Sequence, residues 1–185
     1  MARLTAPQRR EQIAVAARDL FAEHGFRAVA VDEIARRAGV TPPVLYDHFA
    51  SKHDLYAHLL DRQADELATR VGRAIAEVGG GKARLRAAFD AFFALVEEQG
   101  LIAEREDPRA HAALVEVLGS GGRLFAGEPD RDRAFDLTAE MIRHGLIGLA
   151  AWWREHPETP RAVLVDHAMA VVWTGLRALR KSGRP

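Results

Sequence analysis

The sequence predicts an all-α fold. No stretch alternates apolar and polar residues between turn signals, so strands are not expected. Apolar residues instead recur at the three- and four-residue spacing of helical faces. Glycines and prolines stand where those faces break off and resume, the usual punctuation of helix ends. Of 185 residues, 48% are hydrophobic and 28% charged, the balance of a globular chain large enough for one big domain or two small ones.

The first helix is expected over about 7–24. Thr5 and Gln8 have the spacing of a capping box, and Pro7 suits an opening turn. Ile13, Ala16, Ala17, Leu20 and Phe21 form one apolar face. Gly25 is the expected stop, with Phe26 able to fold back on Phe21. A short second helix follows over about 31–38, with Ile34, Ala35 and Ala38 inward and Gly39 ending it. Ala30 stands at its N-cap instead of Ser or Thr, which forgoes roughly 1 kcal/mol of capping.

The stretch Val40–Phe49 reads V-T-P-P-V-L-Y-D-H-F. Thr41 is the expected N-cap of a third helix. Pro42 and Pro43 fall where a helix leaves its N–H groups unpaired, so they fix the entry angle without breaking it. Leu45 and Phe49 point inward; Pro43, Tyr46 and Asp47 point outward. Two short helices joined by the three residues Gly39, Val40 and Thr41 have the sequence form of a helix-turn-helix. Ser51 and Asp54 cap a fourth helix, which runs through Leu55, Leu59 and Leu67 towards Ala76. After the Gly79–Gly81 break, further helices are expected over about 82–98, 108–118, 131–155 and 160–181, the last with Thr159 as N-cap before Pro160.

These motifs identify a resemblance. The runs I-A-V-A-A-R-D-L-F-A-E-H-G-F, V-D-E-I-A-R-R-A-G-V, T-P-P-V-L-Y-D-H-F and S-K-H-D-L-Y occur in order over residues 12–60. They resemble the DNA-binding region of the TetR (tetracycline-repressor-like) family of bacterial regulators. The resemblance implies a three-helix DNA-binding head over 1–52 and a helical effector-binding and dimerisation domain over 53–185. It also implies a ligand-released repressor that binds a palindromic operator as a homodimer in the bacterial cytoplasm.

The residues themselves fit that role. Thr41, Pro42 and Pro43 would lie nearest the base edges, the prolines as apolar contacts. Tyr46 and His48 can donate to phosphate oxygens, which set register but not sequence. Asp47 is repelled by phosphate, so it either accepts from a cytosine amino group or pairs with an arginine. Lys52 opens the fourth helix, where the dipole disfavours a cation and favours an anion; the resemblance makes it a backbone contact. Arg27 and Arg37 complete the candidate DNA-binding set. Each has a plainer alternative: Tyr46 as a half-buried closure of the head, His48 as a cap on its core, Arg36 and Arg37 as a solvated face. Residues 1–55 hold eight Lys and Arg against seven Asp and Glu. Affinity must therefore come from the placement of cations and from pairing of two heads.

In the remainder, Phe89, Phe92, Phe93, Val96, Leu114, Leu118, Phe125, Met141 and His144 are the candidate lining of an effector pocket. Glu116, Arg143 or His144 could supply a polar anchor. Leu149, Trp152, Leu164, Ala168, Val171, Val172, Gly175, Leu176 and Leu179 are the candidate dimer surface, because a helix apolar on more than one side needs more than one partner.

An enzyme is not expected. The dinucleotide glycine pattern is missing, and Gly81-Lys82 lacks the Ser or Thr that a phosphate loop needs. No H-x-x-x-H or E-x-x-H spacing occurs, and there is no cysteine, so neither a metal nor a cofactor is expected. No run of eighteen apolar residues suggests a membrane span, and charges through the first thirty residues argue against a secretory signal. The rival reading is a helical dimer that binds a small molecule or protein and whose weakly basic head no longer holds DNA.

Overall fold

The computed structural model describes residues 4–100, 108–119 and 130–182, with side chains for 4–100, 114–119 and 130–178. Among the described residues there are helices and no strand. In chain order the helices are α1 (Ala6–Ala28), α2 (Val31–Arg37), α3 (Pro42–His48), α4 (Lys52–Ala76), α5 (Gly81–Gln99), α6 (Pro108–Gly119), α7 (Arg131–Glu155) and α8 (Arg161–Ser182). No helix among these residues is long and apolar enough to cross a membrane.

Most helix ends follow local chemistry. The Thr5–Gln8 capping box forms: the Gln8 N–H donates to the Thr5 hydroxyl at 3.4 Å, and the Thr5 N–H to the Gln8 side chain at 2.9 Å. Gly25 (φ +76°) kinks α1 where a stop was expected, and one more helical turn carries on to Ala28. Phe26 packs as anticipated, its ring 5.7 Å from that of Phe21. At the start of α4 the Asp54 N–H donates to Ser51 at 3.0 Å, while the Asp54 carboxylate accepts from Ala50 N–H. The start of α8 differs from expectation. The helix opens at Arg161, one residue later than expected, and the Thr159 carbonyl accepts the indole N–H of Trp153 at 2.7 Å. A buried indole N–H needs an acceptor, and a main-chain carbonyl ahead of α8 provides it.

The chain divides into two compact units. The first holds α1 to α3, α4 as far as Gln63, and the end of α5 at Gln99 and Gly100. Its core joins Ile13, Ala17, Leu20 and Phe21 of α1 to Ile34 and Ala35 of α2, Leu45 and Phe49 around α3, and Leu55 and Leu59 of α4. Because Leu55 and Leu59 belong to this core, the head continues three turns past residue 52 into α4.

The second unit holds the rest of α4 from Ala64, α5 to Glu98, and α6 to α8. Phe89 and Phe93 of α5 are fully buried, and Phe93 meets Trp153 of α7 edge-on at 6.0 Å. Ion pairs tie its helices across the surface. Arg70 of α4 bonds Glu66 at 2.5 Å and Glu98 of α5 at 2.7 Å. Arg86 of α5 meets Asp166 of α8 at 2.5 Å, and Arg161 of α8 reaches Glu97 at 2.8 Å. The Arg70 guanidinium holds the Glu98 carboxyl below the ordinary glutamate range.

Candidate nucleic-acid interface

The turn between α2 and α3 is set by one glycine. Gly39 takes φ +63°, the left-handed conformation that L side chains avoid. The Gly39 N–H then bonds Arg36 C=O at 3.1 Å and the Val40 N–H bonds Ala35 C=O at 2.9 Å, the paired closure of a Schellman motif. The chain turns there and enters α3 through Thr41.

Thr41 occupies the N-cap with extended geometry, but its side chain makes no capping bond. Pro42 and Pro43 remove the first two N–H groups, so only the Val44 N–H is left for it, and the exposed hydroxyl does not take it. Thr41 is thus the N-cap in position, and the two prolines and the Leu45 N–H bond to Thr41 C=O at 3.1 Å define the start of α3.

Across its seven residues α3 separates two faces. Leu45 is 0% exposed and Phe49, just past the helix, is 1% exposed; burial of each such side chain favours this seating by about 1.5–3 kcal/mol. Opposite them Thr41, Pro43, Tyr46 and Asp47 are exposed, while Pro42 and His48 are half-buried. Tyr46 is 50% exposed, so it does not close the head. Asp47 makes no ion pair among the described residues, which removes the arginine-paired alternative there.

The cations are placed selectively. Arg18 pairs with Asp19 at 2.8 Å, and Arg62 pairs with Glu11 at 2.5 Å. Arg27, Arg36 and Arg37 are exposed and unpaired among the described residues, at the ends of α1 and α2. Lys52 is half-buried, its ammonium 4.4 Å from the centre of the Phe26 ring, a cation–π seat that aims it.

Sequence reasoning missed Arg10. Its guanidinium lies 4.0 Å from the centre of the Phe49 ring and donates to the main-chain carbonyl of His48. The His58 ring lies 5.6 Å, centre to centre, from the same Phe49 ring. Burial first, then Arg10 and Arg62, hold the His58 imidazole below its ordinary range against the smaller opposing pull of Glu11 and Asp54.

The candidate effector residues divide. Phe89, Phe92, Phe93 and Leu118 are buried, with Val96 and Leu114 half-buried. Met141 is 67% exposed and His144 is exposed, so neither lines an interior: both project from the outer side of α7. Of the three possible polar anchors only Arg143 is buried, held by Glu140 at 2.6 Å; Glu116 and His144 face outward. Phe125 lies outside the described residues.

The candidate dimer residues divide too. Trp152, Val171 and Gly175 are exposed, and Leu149 and Val172 half-buried. Leu164, Ala168 and Leu176 are corrected: they are packed inside the chain, 3%, 7% and 4% exposed, because the inner stripe of α8 serves the chain's own core. The side chain of Leu179 lies outside the described residues. The exposed apolar stripe instead runs along α7 through Leu137, Met141 and Trp152, with Gly145 and Gly148 between them; on α8, Val163 and Val171 are exposed as well.

Residues 13–59 match the family model described as bacterial regulatory proteins, tetR family. The HTH-type transcriptional activator FasR of Mycolicibacterium smegmatis is 35% identical over 196 residues, covering 94% of this chain and 85% of that protein. This chain belongs to the TetR family. The HTH-type transcriptional repressor KstR2 of Mycobacterium tuberculosis is 36% identical over 187 residues, covering 91% and 92% of the two chains. The solved structure of the ketosteroid transcriptional regulator KstR2 of Mycobacterium tuberculosis superposes with TM-score 0.66 at 29% identity, covering 90% of this chain and 94% of that one. This TetR-family protein is thus a DNA-binding transcriptional regulator with the helix-turn-helix at α2–α3.

Proposed function

We propose that this regulator is a homodimeric repressor that reads a palindromic operator with α3 and releases it when a small molecule binds the second unit. The observation that carries the reading is the outward face of α3: Thr41, Pro43, Tyr46 and Asp47 stand exposed on a short helix anchored from behind by Leu45 and Phe49. Seated in the major groove, Thr41, Pro42 and Pro43 meet base edges, and Asp47 accepts from a cytosine amino group. Tyr46, His48, Lys52, Arg27 and Arg37 hold phosphates and fix the register.

One head with so even a charge balance holds DNA weakly, so the reading requires two. The exposed stripe of α7 and α8 supplies the contact. Gly145, Gly148 and Gly175 have open space where a side chain would stand, which lets a partner helix approach closely. A two-fold dimer of this kind presents its heads to half-sites about 34–36 Å apart or a multiple of that spacing.

The effector settles among Phe89, Phe92, Phe93 and Leu118, with Val96 and Leu114 at the edge. Such a lining suits a largely apolar molecule, in keeping with the ketosteroid regulator among the relatives. Release requires that the effector bind two conformations with different affinity. Helix α4 has residues in both units and is the connecting element. KstR2 is described as a repressor and FasR as an activator, so the sign of control is part of the test.

The test is selection of duplexes from a random-sequence library by the full-length protein, followed by transcription in vitro from a promoter carrying the selected site. Enrichment of an inverted repeat and reduced transcription are expected. Enrichment of nothing above the library refutes DNA reading by α3, and increased transcription refutes repression.

A further inference from the structure

The seven residues of α3 have little to hold them at their C-terminal end except what packs against it. The last carbonyls of a helix lack intrahelical partners and carry partial negative charge, so a cation placed there is favoured. In this chain the cation comes from another helix. Arg10, on α1, donates to the carbonyl of His48, the last residue of α3, and lays its guanidinium over Phe49 at 4.0 Å. Phe49 is 1% exposed and belongs to the core of the head, so the ring gives the guanidinium a fixed seat. Thr41, at the other end, makes no side-chain cap. Beside the apolar anchor of Phe49, Arg10 is thus a polar tie from the far end of α3 to the helix behind it.

We infer that Arg10 is a positioning residue for DNA reading: it sets the angle at which the Thr41–Asp47 face is presented, without itself touching DNA. The inference rests on the reading of α3 given above. A guanidinium committed to a carbonyl and an aromatic ring differs from Arg27 and Arg37, which are exposed and unpaired among the described residues. Loss of Arg10 should blur the distinction between operator and other DNA, because base-edge contacts need alignment and phosphate contacts tolerate its loss.

The test compares the full-length wild type with Arg10→Gln, Arg10→Lys and Tyr46→Ala. The probes are the duplex selected by the wild type and a scrambled duplex of equal length, titrated by fluorescence anisotropy over a range of salt. Circular dichroism confirms that each variant is folded at the assay temperature. Arg10→Gln is expected to weaken the selected duplex about tenfold, the loss that follows when the aligned orientation of α3 falls to about one molecule in ten. The scrambled duplex should weaken by less than about twofold, its salt slope changing by much less than the ~0.9 of one phosphate contact. Arg10→Lys keeps a donor and a cation and should recover most of the loss. An equal loss on both duplexes, with the salt slope on scrambled DNA reduced by about 1.8, one contact in each protomer of the dimer, makes Arg10 a phosphate contact and overturns the inference. No change on either duplex overturns it as well. Should Arg10→Gln not fold, Phe49→Leu removes the ring beneath the guanidinium, keeps an apolar group, and is held to the same comparison. If Tyr46→Ala loses the selected duplex while Arg10→Gln does not, this inference alone fails. If Tyr46→Ala leaves the selected duplex unaffected, the reading of α3 fails and takes this one with it.

Discussion

Gly100 follows α5 and rests on the head, and its replacement by alanine separates two costs that are usually mixed. Gly100 adopts φ +71°, its carbonyl accepts from the Gln63 side chain at 2.9 Å, and a Cβ built on it would stand 2.6 Å from the Cβ of Ala22 on α1. Gly39 is the natural control: its φ is +63° and an added Cβ there meets nothing within 4 Å. Gly39→Ala should thus lose only the left-handed preference, about 1–2 kcal/mol. Gly100→Ala should lose that and the overpacking cost of about 1–3 kcal/mol, because Ala22 sits on a helix and cannot swing aside. The expected destabilisation is about 2–5 kcal/mol for Gly100→Ala, read by urea unfolding at fixed protein concentration. Ala22→Gly by itself should cost about 1 kcal/mol, and in the Gly100→Ala background it should restore the steric part, leaving a coupling of about 1–3 kcal/mol. Equal costs for Gly39→Ala and Gly100→Ala, or a coupling near zero, would refute the reasoning and the proximity of Gly100 to α1.

Three further outcomes are expected. Tyr46→Ala should leave stability within about 0.5 kcal/mol, since the ring is half exposed, yet lower operator affinity; Lys52→Ala should reduce the salt dependence of dimer binding by about 1.8, one phosphate contact in each protomer, and sedimentation should show both still dimeric. The lowered pKa of His58 means that the unfolded chain takes up the proton first; its contribution to stability is whole above the ordinary histidine pKa of 6.5 and is lost as pH falls through the folded value, so the urea midpoint should drop on acidification and drop less in His58→Gln. Trp152→Glu should yield monomers in sedimentation velocity and weaken operator binding, because 43% of Trp152 is exposed on the α7 stripe and a carboxylate there faces its own copy across a two-fold axis.

The legibility of the chain varied with the range of the interaction involved. The helix-turn-helix was readable because its devices are local: Gly39 for a left-handed turn, two prolines at a helix start, Leu45 and Phe49 four residues apart. The Thr5–Gln8 capping box and the Phe26–Phe21 contact were readable for the same reason. Thr41 was readable as the N-cap position; that its hydroxyl makes no capping bond was less so, since Pro43 removes only one of the two N–H groups such a hydroxyl meets. The bond from the Trp153 indole to the Thr159 carbonyl was not readable, because no local pattern shows which carbonyl a buried indole will meet. Met141 and His144 were assigned inward and Leu164, Ala168 and Leu176 outward, since a helix apolar on two sides does not say which side meets its own chain.

The sequence by itself determined the helical class, the order and approximate ends of the helices, and the family. These depend on periodicity and on residues within a turn or two of one another. The tertiary structure alone decided which cations remain unpaired, which apolar stripe of α7 and α8 stays exposed, and that Arg10 reaches the end of α3. Each of these depends on which side chains fold to within a few ångströms of residues tens of positions away, as Arg10 does with His48 and Arg62 with Glu11. Helical periodicity places a residue on a face; only packing decides what that face meets.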